Sequence, residues 1–554
     1  MLALVASSAF LSCQKPTPEP EPEKVLTVKT GGAEIDENDV VISGSYTYDG
    51  TDAVTTGFRY AQSKDALATA ELIKAIATDG NFSTELKALA NGEYYYQAVA
   101  STADKEIAGA EGYFKIDFSL EPTLTTEVAD IKDEGFELHG TYAFASKKVA
   151  IKIGFFYAAT EAELANAALA EVTPGEGNTL SLTVPFSIGA NCYYQVGAIV
   201  EGQTYRGEVK SAGLGNLSAD GTANCYIVRD AGWYSFKACK PDGTAVTGDK
   251  ADWLWATGTE TGLVSNVTYA AGSINFKVEK YQPASVIIAL YNGSAIVWTW
   301  HIWMSDSKDQ PLNGITFMDR NLGAINVSAN DPGSIGLMFQ FGRKDPFIGT
   351  NVMDKSIATN LYETTAFSLD RTLARPWCAD YVVNSNAGIT FSHLTEDMDE
   401  AKAVANPMTH YGKWNAGGYN MGNDAVKDFW GGVSKSKQNQ DPCPAGYKVP
   451  SYDDIYNYVN GVLLNSSSGA TSVYGKTSDG KETWGRVYTL NGEEYNWPAT
   501  GWRAWSGVIA RPGNVIAMTT CDVTTTANSM TIYWNWGKGG NYFCEAFPLR
   551  CVKM

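Results

Sequence analysis

The chain has 554 residues, with 61 acidic residues against 42 Lys and Arg, and a formal net charge of −19 at pH 7. This charge argues against binding to nucleic acid or to an anionic membrane face, because such surfaces need clustered Lys and Arg. Hydrophobic residues make up 44% of the chain, so sizeable cores are expected, and the length predicts about three or four domains.

The N-terminus begins with MLALVASSAFLSC, an apolar stretch typical of the end of a secretion signal. The small residue before Cys13 resembles a bacterial lipobox, which implies that Cys13 is lipidated. We therefore expect a lipoprotein signal without its basic start at residues 1–13 and an extended Pro/Glu tether at residues 14–24. An acidic tether after such a cysteine resembles the export signals of Bacteroidetes surface lipoproteins. The resemblance implies a lipid anchor in the outer membrane and display on the cell exterior.

Three segments of the N-terminal half recur about 96–98 residues further along the chain. The pairs are VVISGSYTYDG (40–50) with FELHGTYAFAS (136–146), TGFRYAQ (56–62) with IGFFYAA (153–159), and NGEYYYQAVAS (91–101) with ANCYYQVGAIV (190–200). Repeats of about 100 residues with alternating short strands are typical of small β-sandwiches. Both copies resemble fibronectin type III-like domains, and we expect two of them at residues 25–118 and 119–212.

Each copy contains an alanine-rich stretch that predicts a short helix between strands. The resemblance implies a tyrosine-corner hydrogen bond from Tyr94 or Tyr96 and from Tyr194, and ordinary strand aromatics are the alternative. Cys192 lies in an alternating strand pattern, so we expect a buried free thiol there.

A Gly/Ser/Asn-rich segment at 211–226 predicts a linker, and a third β-sandwich is expected at residues 216–307. Its segment AIVWTWHIWMSD (295–306) has large side chains on both faces, which predicts a central strand. We expect His301 in this strand to be a packed core histidine. TANCYIV and WTWHIWMSD resemble a β-sandwich module of Bacteroidetes fimbrial and surface proteins.

Four motifs follow in order: ITFMDRNLGA (315–324), GLMFQFGRKDPF (336–347), DPCPAGYKVPSYDDI (441–455) and FPLRCVK (547–553). They resemble the Fibrobacter-succinogenes-major-paralogous-domain-like modules, which are related in fold to C-type lectins and formylglycine-generating enzymes. The resemblance implies an α+β C-type-lectin-like domain at residues 313–554. The whole chain is thus expected to be mostly β, with tandem sandwiches followed by this domain.

The third motif predicts a short helix that starts after three prolines. Ser451 and Asp454 have the spacing of a capping box. A buried stripe is expected at the i, i+3, i+4 and i+7 positions Tyr452, Ile455, Tyr456 and Val459. Cys443, just before this helix, is expected to pair with Cys551 in the final strand, and Cys521 and Cys544 are further disulfide candidates.

Signatures of catalysis are scarce in the sequence. The four histidines lie in no HExxH pattern, and no GxSxG or EF-hand loop occurs. GATSVYGKT (469–477) has one residue too many for a P-loop and follows a Ser-rich loop rather than a strand, so we reject that interpretation. We expect no enzyme activity, no cofactor and no metal. His410 lies in a predicted loop and is the more interesting histidine.

Aromatic residues in polar loops of the C-terminal region are the better functional signal. Exposed Trp and Tyr rings stack on sugar rings or anchor protein partners, whereas the alternative is that they form the core of a loop-rich domain. The segment TGWRAW nominates Trp502, Arg503 and Trp505 as ligand-binding residues. Further candidates are Trp414, Tyr419, Trp534 and Trp536.

These observations predict a cell-surface lipoprotein that binds a glycan or a host or bacterial surface protein through its C-terminal domain, as an adhesin does. Two alternatives stay open. One is a fimbrial tip or stalk subunit that assembles by strand addition with other subunits. The other is an accessory lipoprotein of an outer-membrane nutrient importer. No nucleic-acid partner is expected.

Overall fold

The computed structural model describes residues 23–356, 378–412, 428–459, 463–464, 469–505, 507, 509–523, 528–532 and 538–554. Strands hold 47% of the residues and helices 7%, which confirms the predicted mostly-β, multidomain fold. None of the described helices is long and apolar enough to span a bilayer. Cys13 and most of the Pro/Glu tether lie outside the described residues, so the lipid anchor stays a prediction.

The chain forms two compact units. The first contains the described residues of Met1–Thr125 together with Tyr142–Ile153 and Gly197–Gly207. The second contains Thr126–Thr141, Gly154–Val196 and Glu208–Met554. Both units therefore hold residues of the second sequence repeat, and the domain boundaries expected from sequence stay predictions.

The first repeat folds as two sheets with a short helix. Its elements are β1 (Leu26–Asp36), β2 (Asp39–Tyr48), β3 (Thr55–Ala61), α1 (Lys64–Leu67), β4 (Ile73–Lys74), β5 (Asn81–Leu86), β6 (Gly92–Ser101), β7 (Glu106–Ala108) and β8 (Gly112–Ile116). One sheet has the order β1-β2-β5, and the other has the order β4-β3-β6-β7 with β8 beside β6. Ile42 and Phe82 of the first sheet share one core with Phe58 and Phe114 of the second, as in a β-sandwich.

The second repeat has the same order of elements, except that two short strands take the place of β1. Its elements are β9 (Thr123–Thr126), β10 (Asp130–Lys132), β11 (Gly135–Ala143), β12 (Ile151–Ala158), α2 (Glu161–Leu164), β13 (Ala170–Glu171), β14 (Thr179–Val184), β15 (Asn191–Val200), β16 (Gln203–Arg206) and β17 (Lys210–Gly213). The sheet orders are β10-β11-β14 with β9 beside β11, and β13-β12-β15-β16 with β17 beside β15. The predicted helices are present but only four residues long.

Equivalent hydrogen bonds confirm that the two repeats are related. The Tyr96 hydroxyl donates to the Gly31 carbonyl at 2.8 Å, and the Tyr194 hydroxyl donates to the Glu127 carbonyl at 2.8 Å. The bond typical of a tyrosine corner comes instead from Tyr94, which donates to the carbonyl of Ala90 at 2.9 Å. Tyr194 therefore makes a long-range bond rather than the predicted corner.

The third sandwich begins inside the predicted linker. Its elements are β18 (Gly215–Asn216), β19 (Cys225–Val228), β20 (Gly232–Lys237), β21 (Lys250–Thr257), β22 (Val264–Ala270), β23 (Ser273–Val278), β24 (Ala284–Asn292) and β25 (Ala295–Met304). Two sheets form, β18-β20-β23-β22 and β19-β25-β24-β21. The Trp-rich strand β25 lies between β19 and β24, which confirms the prediction of a central strand.

The described residues of the C-terminal region combine short strands with two α-helices. Its elements are β26 (Asp309–Leu312), β27 (Ile315–Met318), β28 (Met338–Gln340), β29 (Pro346–Phe347), β30 (Tyr381–Val383), β31 (Ser392–Leu394), α3 (Glu400–Ala405), β32 (Thr409–Tyr411), β33 (Tyr447–Lys448), α4 (Tyr452–Tyr458), β34 (Thr471–Lys476), β35 (Glu482–Leu490), β36 (Glu493–Trp497), β37 (Trp502–Arg503), β38 (Ile509–Ala510), β39 (Met518–Val523), β40 (Asn528–Ile532), β41 (Lys538–Tyr542), β42 (Ala546–Phe547) and β43 (Val552–Lys553). The sheets are β26-β27-β43-β33, β29-β28-β42-β37-β38, β34-β35-β36, β39-β40-β41 and the pair β31-β32.

The third sandwich and the C-terminal region share one hydrophobic core. Trp255 and Trp303 of the sandwich pack in the same cluster as Phe339 and Phe347. Strand β30 also joins the sandwich sheet beside β21. Residues on both sides of the predicted boundary at 307–313 thus stabilise each other.

The DPCP segment is fixed by a buried ion pair. The Lys437 ammonium donates to Asp441 Oδ1 at 2.7 Å and to the carbonyls of Cys443 and Tyr447 at 2.7 and 2.8 Å. The Asp441 carboxylate also accepts the backbone N–H groups of Cys443 and Val449, at 2.8 and 3.0 Å. One carboxylate therefore shapes the whole turn before α4.

The same turn docks on the TANCYIV strand of the third sandwich. The Asn224 side chain donates to the carbonyls of Asn439 and Asp441, both at 2.8 Å, and accepts from Trp298 Nε1 at 2.9 Å. The two motifs that the sequence singled out in separate domains thus bind each other. The predicted pairing of Cys443 with Cys551 is confirmed as a disulfide.

Helix α4 begins with the predicted capping box between Ser451 and Asp454. Its buried stripe differs from the prediction at one position. Tyr456 is 45% exposed, whereas Tyr458 is fully buried against Phe317. The helix turns this face inward because β27, which carries Phe317, belongs to the sheet that α4 covers.

Candidate functional site

Two of the nominated ligand-binding residues are buried, which corrects the sequence expectation. Trp502 is 7% exposed and stacks on Phe547 at 6.0 Å between ring centroids. Arg503 is 1% exposed and donates to the carbonyls of Gly507 at 2.7 Å and Ile348 at 2.6 Å. Both side chains lie in a sheet interior, where no sugar ring can reach them.

Trp505 lies at the edge of this interior and is partly exposed. Its carbonyl approaches Gly412 so closely that a Cβ on Gly412 would lie 1.8 Å from it. Trp414, Tyr419, Trp534 and Trp536 lie outside the described residues, so their roles stay predictions. Elsewhere Trp430 and Trp497 are fully buried core residues, as the alternative interpretation of the loop aromatics predicted.

The other two disulfide candidates, Cys521 and Cys544, are not paired in the structure. Both are buried thiols, and burial raises the pKa of each to about 12. Cys192 is also a buried free thiol, as predicted, and burial raises its pKa to about 12. None of these three groups has the lowered pKa of a reactive cysteine.

An exposed aromatic pair lies instead on the hairpin formed by β34 and β35. Tyr474 is 52% exposed and Trp484 is 37% exposed, and their rings meet edge to face at 4.9 Å. The Arg486 guanidinium lies 4.4 Å from the Tyr474 ring centroid and donates to its hydroxyl at 2.5 Å. We call Tyr474, Trp484, Arg486, Lys355 and Glu482 the aromatic face.

Two glycines explain why these rings point outward. Gly475 and Gly485 occupy the inner side of the hairpin, where strand side chains alternate with the outer ones. A Cβ on Gly475 would lie 1.9 Å from the Asn330 side-chain oxygen, and one on Gly485 would lie 2.7 Å from the Ala329 carbonyl. The hairpin therefore lies flat on the loop at 329–330 and places Tyr474 and Trp484 on the solvent side.

The hairpin turn and a neighbouring loop complete the aromatic face. Lys355 pairs with Glu482 and lies 5.4 Å from the Trp484 ring centroid. The Lys355 N–H donates to the Glu482 carbonyl at 2.8 Å, and the Trp484 N–H donates to the Gly513 carbonyl at 2.9 Å. Gly513 has φ +79°, and a Cβ there would lie 2.0 Å from the Asp354 nitrogen. This close approach requires glycine and holds the loop against the rings.

The carboxylates around the rings are ionised at neutral pH. Hydrogen bonds from Ser356 lower the pKa of Asp354, and the hydroxyl of Thr477 lowers the pKa of Asp479. A hydrogen bond from Lys355 lowers the pKa of Glu482. The aromatic face thus combines two exposed rings with charged donors and acceptors, which suits a ligand with an apolar face and hydroxyl groups.

The sequence did not lead us to Tyr474 and Trp484, because only aromatic residues in predicted loops were nominated as ligand-binding residues. A signal was present in SVYGKTSDGKETWGRVY, where a TSDG turn joins two strands. On each strand a large aromatic residue is followed by a glycine. Because neighbouring residues of a strand point to opposite faces, the glycines leave one face of the hairpin flat and the aromatic rings lie on the other. The same structure confirms the rejection of the P-loop interpretation, because residues 471–476 form a strand.

Two histidines of the C-terminal region form a pair. His393 and His410 are in register on the parallel strands β31 and β32, and their Nδ1 atoms lie 3.1 Å apart. At this distance one nitrogen donates a hydrogen bond and the other accepts it, so at least the accepting ring is neutral. Burial lowers the pKa of His393 and holds that of His410 well below the ordinary value. His301 is a buried core histidine as predicted, and burial lowers its pKa to about 3.

We expect the free energy of unfolding to fall as the pH drops below about 6.5, the ordinary histidine pKa. Below that pH the unfolded chain protonates His301 and His410, whereas the folded protein keeps them neutral. Stability therefore rises with pH in this range, by up to about 1.4 kcal/mol per pH unit for each fully buried histidine. Denaturant unfolding at pH 7.5, 6.5, 5.5 and 4.5 measures the slope, and equal stability at pH 7.5 and 5.5 would contradict the prediction.

Glu545 contributes to the pH dependence of stability in the opposite direction. Burial raises its pKa to about 7, although Trp502 Nε1 donates to it at 3.2 Å. The folded protein therefore binds a proton on Glu545 as the pH falls towards the ordinary value of 4.5, which offsets the effect of one histidine. Glu545→Gln removes this offset, so the acid loss of stability is expected to become steeper in that variant.

Comparison with known proteins assigns no family to the chain. No family model matches it, and no characterised protein matches it in sequence. Among solved structures, the chicken interferon gamma receptor alpha chain is similar at 10% identity and a TM-score of 0.14, covering 33% of this chain and 97% of that one. The FN1–FN3 domains of chicken CNTN1 are similar at 12% identity and a TM-score of 0.16, covering 50% of this chain and 98% of that one.

Proposed function

We propose that the chain is a cell-surface lipoprotein whose C-terminal lectin-like domain, residues 313–554, binds a glycan through the aromatic face. The observation that carries the proposal is the contact between the exposed rings of Tyr474 and Trp484. The apolar face of a sugar ring can stack on such rings while its hydroxyl groups bond to Arg486, Lys355 and Glu482. The N-terminal sandwiches then serve as spacers that hold this domain away from a membrane anchored through Cys13.

A glycan fits the aromatic face better than a protein partner does. Stable protein interfaces bury about 800 Å² on each side around a central apolar cluster. The aromatic face offers two rings bordered by ion pairs, such as Lys355 with Glu482, rather than a wide apolar surface. A small sugar ligand, which has an apolar face and hydroxyl groups, needs no larger contact area than these two rings offer.

The fimbrial alternative has less support at one edge of the third sandwich, the edge formed by β21. In the third sandwich, β30 already pairs with β21, so an incoming donor strand would have to displace it there. A role as an accessory lipoprotein of a nutrient importer is compatible with glycan binding and would add a membrane partner.

A glycan array tests the proposal with the full chain and the double variant Tyr474→Ala/Trp484→Ala. Each ring is expected to contribute about 1.4 kcal/mol, so losing either weakens binding about tenfold and losing both abolishes it on the array. Tyr456→Ala is the matched control, because Tyr456 is an exposed tyrosine of the same domain. Absence of any bound glycan, or equal binding by the double variant, would refute the proposal.

A further inference from the structure

Three metal-ligating side chains converge on the outer face of the second repeat, far along the chain from the aromatic face. Asp130 on β10 lies directly opposite Glu137 on β11. His139 follows two residues after Glu137, so its side chain lies on the same face of the sheet. His139 Nε2 is 3.5 Å from Asp130 Oδ2 and 3.9 Å from Glu137 Oε2.

The imidazole nitrogen that faces the carboxylates makes no hydrogen bond within the part of the chain that the structure describes. His139 Nε2 is shielded from solvent and makes no hydrogen bond to any described residue, although the ring as a whole is 28% exposed. Among the described residues, Asp130, Glu137 and His139 are the one group of three such side chains whose ligand atoms all lie within 4.8 Å of one another. A nitrogen that faces two carboxylates without a hydrogen bond to either is the arrangement that a cation would complete.

We propose that Asp130, Glu137 and His139 bind Zn²⁺ or a similar divalent cation. Zinc takes nitrogen and oxygen ligands with bonds of about 2.0–2.2 Å, which puts ligand atoms of a tetrahedral site roughly 3.3–3.6 Å apart. The two separations from His139 Nε2 are close to this range, so small side-chain movements suffice. Three protein ligands leave the fourth position to water.

Two neighbouring side chains prepare the carboxylates for a cation. The Ser181 hydroxyl donates to Glu137 Oε1 at 3.4 Å, which leaves Oε2 directed towards His139. The Lys132 ammonium lies 3.4 Å from Asp130 Oδ2 and 3.8 Å from Glu137 Oε2. Lys132 thus provides positive charge at the site without a metal, and a bound cation would replace its ammonium there.

The experiment titrates Zn²⁺ into the full chain by calorimetry and follows Co²⁺ in its place by visible absorption. One equivalent is expected to bind the unmodified chain. Binding should be lost in His139→Gln and in Asp130→Asn, and it should tighten severalfold in Lys132→Met because the competing ammonium is removed. His393→Gln, which changes a histidine outside the site, is expected to bind one equivalent as before.

The affected residues are partly exposed, so these variants are expected to keep the fold, and the melting temperature without metal checks this. Failure of the unmodified chain to bind a stoichiometric equivalent would overturn the proposal. Equal binding by His139→Gln would also overturn it, since the metal would then lie elsewhere.

Discussion

Removal of the disulfide by the double substitution Cys443→Ala/Cys551→Ala is expected to lower the free energy of unfolding by about 4–5 kcal/mol. The bond closes a loop of 108 residues, and cross-linking so long a loop strongly restricts the unfolded chain. All fifteen tryptophans lie between Trp233 and Trp536, so their fluorescence during urea unfolding reports on this part of the chain.

Reduction provides the control for the disulfide prediction. Unmodified protein treated with dithiothreitol should lose the same stability as the double variant, and the double variant should not respond to the reductant. A loss below about 1 kcal/mol would contradict the entropic account of this bond.

The second large effect is expected from Asp441→Asn, at about 3–5 kcal/mol of lost stability. The substitution keeps the shape of the side chain but leaves the ammonium of Lys437, whose side chain is only 9% exposed, without its counter-charge. Burial already lowers the pKa of Lys437 with Asp441 present. In the variant the loss should shrink as the pH rises towards 10, because Lys437 can then be buried without its proton.

Asp453→Asn is the matched control for this second prediction, since Asp453 is an exposed acid at the start of α4. We expect it to change stability by less than about 1 kcal/mol, the loss of a favourable helix-end charge. Similar effects from both substitutions, measured by urea unfolding at pH 7, would show that the Lys437–Asp441 pair is not the element that holds the turn.

Local patterns predicted much of the fold. The capping box of Ser451 and Asp454 depends on residues three positions apart, and the repeats depend on alternation within single strands. The pairing of Cys443 with Cys551 was also predicted, because one residue lies just before a helix and the other in the final strand. The capping box and the strand alternation lie within short segments of sequence, whereas the disulfide joins residues 108 positions apart.

Burial of individual aromatic residues could not be predicted in this way. Trp502 is covered by Phe547, which lies 45 positions further along the chain and meets it only through the pairing of β37 with β42. Trp484 has a similar polar sequence context, yet it points outward because Gly485 lets the hairpin lie flat on Ala329. The exposure of a strand residue depends on which face of the strand packs against a distant loop. The sequence of the strand alone does not contain this information.

The shared core of the third sandwich and the C-terminal region could not be predicted for the same reason: it depends on contacts between distant segments. The motifs TANCYIV and DPCPAGYKVP were assigned to separate domains because some two hundred positions divide them. Asn224 nevertheless bonds to the carbonyls of Asn439 and Asp441. A backbone bridge between Cys225 and Pro444 also joins the two motifs, and nothing in either motif alone indicates the partner.

The most direct test of glycan binding at the aromatic face is calorimetric titration of the best glycan from the array into full-length Trp484→Ala and Trp505→Ala variants. Trp484 and Trp505 are both partly exposed and belong to the same domain, so the comparison separates the aromatic face from the segment first nominated by sequence. If the glycan binds at the aromatic face, its affinity is expected to be at least tenfold weaker in Trp484→Ala and unchanged in Trp505→Ala. Unchanged affinity in Trp484→Ala with loss in Trp505→Ala would contradict binding at the aromatic face.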